Sequence, residues 1–278
     1  MVGRIVVFSA LALSAAANAA PVDVHEGNIR NDTTWKRGTV HYIHGDISII
    51  EGATLTIEAG VEVRFYEVKG TGGYEDGAEL LVKYGSLVVE GNWAMPVKFT
   101  SANAVKKMGD WGAIVVERSN QIILEDAIIE YGTNGLRLQS TTTTGSSRSS
   151  FDGAVIRNCL HNGVLACDSR ANLYHVSVEN NGYAGVKAIG VHSYVNTNYC
   201  DLCKNAKYNF YNGSPNNVDA TNCWWGRTEP GFIEGTIYDR KDDPTKGEVD
   251  YTPYLTGPWP EGGRVPNYSV GFVKSFFK

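Results

Sequence analysis

Four stretches of the chain superimpose: DAIIEYGTNGLRL from Asp126, GAVIRNCLHNGVLAC from Gly153, HVSVENNGYAGVKA from His175 and YCDLCKNAKYNFYN from Tyr199. Each reads as a strand, a polar turn and a second strand. Aligned on Ile129, Ile156, Val178 and Leu202, the steps are 27, 22 and 24 residues, and the long first step contains the low-complexity excursion QSTTTTGSSRSS. A unit this short cannot bury its own apolar face, so successive copies must stack. Upstream, from about residue 38, the same texture continues as GTVHYI, GDISII, ATLTI, GVEVRF, AELLV, GSLVVEG, PVKFTS, GAIVVE and QIILEDAIIEYG. These short runs, rich in Val, Ile and Thr and bounded by Gly, Asn and Asp, carry strand and not helix periodicity.

A period near 22 residues with about three strands per turn specifies a parallel β-helix whose coils stack at ~4.8 Å. Residues 38–226 then make roughly nine coils, or ~40 Å of solenoid. The expected fold is all-β: a single right-handed parallel β-helix over residues 20–226, with a C-terminal capping segment over 227–278. The right-handed sense follows the preference of parallel crossovers. In this register Ala127, Ala154, Val176 and Cys200 share one inward column, with Ala220 expected to extend it. Asn158, Asn180 and Asn222 recur at a turn position and are expected to stack their amides from coil to coil.

The opening GTVHYIHGDISIIEGATLTIEAGVEVRF, the GDWGAIVVE at 109–117, the Asn turns and NCWWG followed by IYDRKDDPTKGEVDYTPYL resemble right-handed β-helix proteins of the pectin-lyase-like superfamily. The resemblance, particularly to secreted bacterial members of undefined function, covers roughly residues 30–256. Enzymes of that group concentrate polar residues on neighbouring coils: calcium-binding Asp residues with a basic proton acceptor in the lyases, several Asp residues in the hydrolases. This chain has no NTD or GHG of the hydrolase kind and no RxPxxR of the lyase kind. The resemblance therefore implies the fold more strongly than a reaction.

The chain opens with MVGRIVVFSALALSAAANAA, in which Arg4 precedes an apolar run and Ala17 and Ala19 stand in A-x-A spacing. This pattern predicts a secretory signal peptide over residues 1–19 and export to the periplasm, cell surface or exterior. No later segment is apolar enough to span a membrane. With 25 basic against 30 acidic residues the net charge is −5, and no Lys/Arg run marks a nucleic-acid or polyanion partner. Export makes the five cysteines candidates for pairing, although at least one must stay unpaired within a monomer. Cys200 and Cys203 form a CxxC with neither the His of a haem site nor the second CxxC of a zinc site, which leaves a structural disulfide or buried thiols.

The stacked register nominates neighbours. One outward column reads Glu130, Arg157, Glu179, Cys203. Alternating charges of this kind stabilise stacked coils, while two carboxylates about an arginine are also what sugar chemistry uses. An enzymatic reading, as polysaccharide lyase or glycoside hydrolase, would assign catalysis to Glu130, Asp152, Arg157 and Glu179. His161, His175 and His192 share no column with ligating groups and are expected on the surface. Asp239, Asp242 and Asp243 are close enough in sequence to be considered for calcium, without an EF-hand pattern. No other cofactor is implied.

Tyrosines crowd the C-terminal coils. Tyr174, Tyr183, Tyr194, Tyr199 and Tyr208, with Tyr211, are the residues that would stack on sugar rings. The leading expectation is a non-catalytic exported scaffold or adhesion module that binds glycan or another cell-envelope component. Finally, DATNCWWG closes the last recognisable coil. Adjacent strand residues face opposite ways, so one of Trp224 and Trp225 should seal the core and the other lie beneath the segment that runs to about Leu255.

Overall fold

A computed structural model describes residues 21–24, 26–70, 73–119, 121–140 and 149–259. The leader, most of the QSTTTTGSSRSS excursion and the tail from 260 lie outside the described residues. The chain winds into a parallel β-helix with three sheets. Sheet A has eight strands, from Pro21–Val24 to Asp201–Cys203; sheet B has nine, from Gly27–Ile29 to Ile237–Tyr238; sheet C has seven, from Thr33–Trp35 to Tyr194–Asn198. All pairings in the three sheets are parallel, each strand joining its counterpart one coil away, consistent with the right-handed winding.

Registration of the repeat is as the spacing requires. Ile129, Ile156, Val178 and Leu202 are aligned partners, and their outward neighbours Glu130, Arg157, Glu179 and Cys203 form one column. Inward columns of Val, Ile, Leu, Phe and Ala merge into a single buried cluster from Trp35 to Val249. Trp224 pairs with Asp201, so Cys223 and not Ala220 stands next after Cys200; Ala220 is one strand earlier, a coil below Thr197.

Each coil turns three corners, and through the central coils these fall on residues with positive φ. Between sheets C and A stand Asp126, Gly153, His175, Tyr199 and Asn222, with φ of 43°, 69°, 53°, 53° and 56°. Between A and B stand Tyr131, Asn158, Asn180 and Lys204, at 66°, 54°, 55° and 57°. Between B and C stand Tyr84, Arg118, Ser140, Asp168 and Gly190. Asn158 and Asn180 therefore serve a left-handed bend that Asn tolerates, and Asn222 serves a different corner. The amide ladder lies one step further on. Asn162 donates through its backbone N and Nδ2 to Asn134 Oδ1, at 3.0 and 2.8 Å. Asn181 donates in the same way to Asn205 Oδ1, at 3.1 and 3.0 Å. These turns are buried, so their backbone donors need the side-chain acceptors.

Parallel stacking continues beyond Gly226. After the short helix Pro230–Gly235, Ile237–Tyr238 adds to sheet B and Val249–Asp250 pairs with Val218–Asp219. Both ends of the core are closed by aromatic residues. At one end Trp35 stacks on His41, with ring centroids 4.2 Å apart. At the other Trp225 is fully buried with its ring edge to Tyr251, while Trp224 faces the other way and is half-buried. The two tryptophans thus divide as strand alternation demands.

Two predictions follow from the ends. Removing the Trp225 ring leaves a cavity where the solenoid is sealed, so Trp225→Ala should cost about 3–5 kcal/mol in denaturant unfolding. At the other end, burial lowers the His41 pKa to about 4 from 6.5. Between those values the unfolded chain binds the proton and the folded chain does not, so stability is lost as pH falls through this window. Thermal melts of wild type should drop from pH 6.5 to 4, and those of His41→Phe should drop less.

Candidate functional site

The outward face of sheet B brings polar and aromatic side chains together beside a depression. Its central column runs Leu81, Val115, Arg137, Leu165, Lys187, Tyr211, Tyr238, one residue per coil. Inward neighbours Leu80, Ile114, Leu136, Val164, Val186 and Phe210 are buried, which fixes the alternate residues outward. The first part of this face is covered by the loop 66–79. Tyr74 donates its hydroxyl to Glu117 Oε2 at 2.7 Å, and the Arg137 guanidinium lies 4.9 Å over the Tyr74 ring. Thr133 Oγ1 donates to the Asp76 carbonyl at 3.3 Å and fastens the loop to the A–B corner.

Where the loop ends, a depression of about 370 Å³ opens, lined by Glu75, Asn134, Arg137, His161, Asn162, Leu165, Tyr183 and Lys187. Arg137 forms its floor: Nη1 donates to Glu75 Oε1 at 2.8 Å and Nη2 to Gln139 Oε1 at 3.2 Å. Beneath it Arg137 Nε and Asn162 Oδ1 are buried without a protein partner. His161 is exposed on the rim.

Past the depression the face becomes a strip of phenols and ammonium groups. Lys187 Nζ sits 4.9 Å from the Tyr183 ring centre and 5.1 Å from that of Tyr211; Lys207 Nζ sits 5.6 Å from Tyr183 and 5.1 Å from Tyr208. Tyr211 and Tyr238 stack in parallel at 4.3 Å. Burial and the surrounding tyrosines push the Tyr211 phenol up to about 12, so it remains a hydrogen-bond donor at any physiological pH. A local basic patch therefore exists on this acidic chain. Its members, Arg137, Lys187 and Lys207, are scattered in sequence and meet only through stacking.

The tyrosines predicted to bind sugar do not form one row. Tyr183 and Tyr208 lie on this strip with Tyr211. Tyr174 and Tyr199 lie at the C–A corner, edge-on to each other at 5.4 Å, where His175 stacks on Trp259 at 4.7 Å. Tyr194 stands apart on sheet C beside Arg170. Sequence reading missed Arg137, Lys187, Tyr238, Glu75 and His161 as site residues. The signal was present for the column: the second strands GLRL, GVLA, GVKA and NFYN carry Arg137, Leu165, Lys187 and Tyr211 at their third position.

The other nominated groups are occupied by the fold. Glu130 is buried, accepting from Thr100 Oγ1 at 3.0 Å and from Arg157 Nε and Nη2 at 3.1 and 3.0 Å. Glu179 pairs with Lys204 at 3.3 Å. Asp152 is not with them: it belongs to sheet C and meets His175 Nδ1 at 3.0 Å. Asp239, Asp242 and Asp243 do not converge on a cation site. Asp239 caps the backbone N–H groups of Lys241 and Val249, Asp242 caps that of Asp239, and Asp243 caps that of Thr245. Among the described residues no cluster of three or more His, Cys, Asp or Glu could hold a metal.

With this geometry in place, the comparisons bear on the fold. Residues 27–156 match the family model of the pectate-lyase like beta helix domain. The match ends in the coil of Val155–Arg157, and the later coils, which carry Lys187, Lys207 and the tyrosine strip, continue the same stacking. Neither a curated protein nor a solved structure matches the chain. No helix among the described residues is long and apolar enough to cross a membrane.

A buried acid underlies the loop. Glu79 is 1% exposed; its Oε1 accepts the Glu75 N–H at 2.5 Å, and its own N–H donates to Asp46 Oδ1 at 3.0 Å. Burial, with help from Asp46 and Glu75, raises its pKa to about 7 from 4.5 against the pull of the Tyr74 and Glu75 amides. The folded chain holds this proton where the unfolded chain has lost it. The contribution to stability is therefore complete below pH 4.5 and lost as pH rises through 7. Glu79→Gln, which keeps an acceptor and cannot ionise, should melt at the same temperature as wild type in acid and higher above pH 7. Parallel melting curves across that range would contradict this assignment.

Proposed function

We propose that the protein is an exported, non-catalytic β-helix that binds an acidic glycan along the open part of sheet B. The observation that carries this reading is the alternation of Arg137, Lys187 and Lys207 with Tyr183, Tyr208, Tyr211 and Tyr238 beside the depression. Phenol edges and faces pack against the apolar faces of sugar rings, their hydroxyls bond sugar hydroxyls, and the ammonium groups pair with carboxylate or sulfate substituents. Rungs ~4.8 Å apart place Arg137 and Lys187, two rungs apart, at ~10 Å, the reach of about two sugar units. The leader sequence supports export, and the engagement of Glu130, Arg157, Glu179 and Asp152 in pairs supports a non-catalytic role.

Equilibrium binding of the mature chain, cleaved after Ala19, to a polyuronate, a sulfated polysaccharide and a neutral one tests the proposal. Binding to the acidic polymers should weaken with salt, since these contacts are screened. Lys187→Ala and Tyr211→Ala should each weaken it about tenfold, equivalent to about 1.4 kcal/mol. No binding to either acidic polymer, or full binding by Lys187→Ala, would reject the site. Ultraviolet-absorbing unsaturated ends that wild type releases and Arg137→Ala does not would replace the binding role with a lyase.

A further inference from the structure

We infer that Cys200 and Cys223 are the chain's disulfide-forming pair and that their bond latches the last coil to the solenoid. The two stand one coil apart in the same inward column. Asp201 is aligned with Trp224, the Trp224 N–H donates to the Cys200 carbonyl at 2.8 Å, and the Leu202 N–H donates to the Trp224 carbonyl at 2.7 Å. Aligned parallel neighbours have Cα atoms ~4.8 Å apart, within the 4.4–6.8 Å that a disulfide spans. Both are fully buried free thiols: Cys200 Sγ lies 3.4 Å from the Asn198 carbonyl and 3.5 Å from the Leu173 carbonyl, and Cys223 Sγ lies 3.1 Å from the Thr197 carbonyl in the coil of Cys200.

The remaining cysteines are placed against such a bond. Cys203, the second member of the CxxC, lies three residues along the chain and in an outward column after Glu179. Three residues of strand are ~10 Å, beyond the reach of a disulfide from Cys200. Cys159 is buried near the A–B corner, and Cys167 faces outward on sheet B beside Gln139 and Ile189.

The chemistry is a thiol–disulfide exchange with a small-molecule or protein disulfide as oxidant. The Cys223 thiolate attacks one oxidant sulfur, forming a mixed disulfide and expelling a thiolate. The Cys200 thiolate then attacks the Cys223 sulfur, closing the bond and releasing the second oxidant thiol. Two electrons pass to the oxidant, and the two cysteine protons end on its two sulfurs. In the closed coil, burial holds the Cys200 thiol well above its ordinary pKa and no oxidant reaches it. The bond therefore forms while the last coil is open and keeps it shut afterwards.

The full chain, unfolded and then refolded in oxidised or reduced glutathione, tests this. After oxidative refolding, denaturation and alkylation should label three thiols instead of five, the mass before alkylation should fall by two hydrogens, and one linked peptide pair should contain Cys200 and Cys223. Protease should release the segment after Gly226 more slowly from oxidised than from reduced chain, a difference absent in Cys200→Ala and kept in Cys159→Ala. Five labelled thiols after oxidative refolding, a linkage through any other cysteine, or equal release from both forms would overturn the inference.

Discussion

The structure depends on keeping its coils in register, and register depends on the corners. Each coil must turn three times within a little over twenty residues, and most of these turns use a residue of positive φ. Gly supplies many of the positive-φ positions, but Asn, Asp, Tyr, Lys, Arg, His, Ser and Glu supply the others, each at a cost on the order of 1 kcal/mol in backbone energy. That cost is tolerated because the same bend recurs directly above and below, so parallel hydrogen bonds and inward side chains reinforce every corner. Fixing the corners fixes which residues are stacked, and the outward faces then follow without further choice.

This explains what the sequence disclosed. The columns through Ile129 and through Glu130 could be read directly, because a shift of one residue would turn the apolar set outward. The division of Trp224 and Trp225 followed from the same alternation. The Asn positions were harder. Asn158 and Asn180 looked like rungs of an amide ladder, yet a left-handed bend and a side-chain acceptor select the same residue type by different physics. Only the backbone angles separate Asn180 from its neighbour Asn181.

The candidate face was less legible for a related reason. Arg137, Leu165, Lys187 and Tyr211 share a column that the repeat alignment already contained, but their chemistry differs at every rung. A search for recurring residue types passes over such a set. Glu75 and Tyr74 reach the same place by a different route, through a loop between strands of sheets A and B whose course local spacing does not give. The tyrosines misled in the opposite direction. They are similar in type and close in sequence, but the polygon of the coil sends Tyr174 and Tyr199 to one corner and Tyr183 and Tyr208 to another.

The loop over the beginning of sheet B also gives the face a direction. Tyr74 and Glu75 close the strip at the Arg137 end, while beyond Tyr238 no comparable cover stands among the described residues. A linear ligand lying along the axis would therefore meet a wall at one end and run free at the other. On the proposed reading, this asymmetry would let the Arg137 end of the face meet the terminus of a polymer while the Tyr238 end accommodates its continuation.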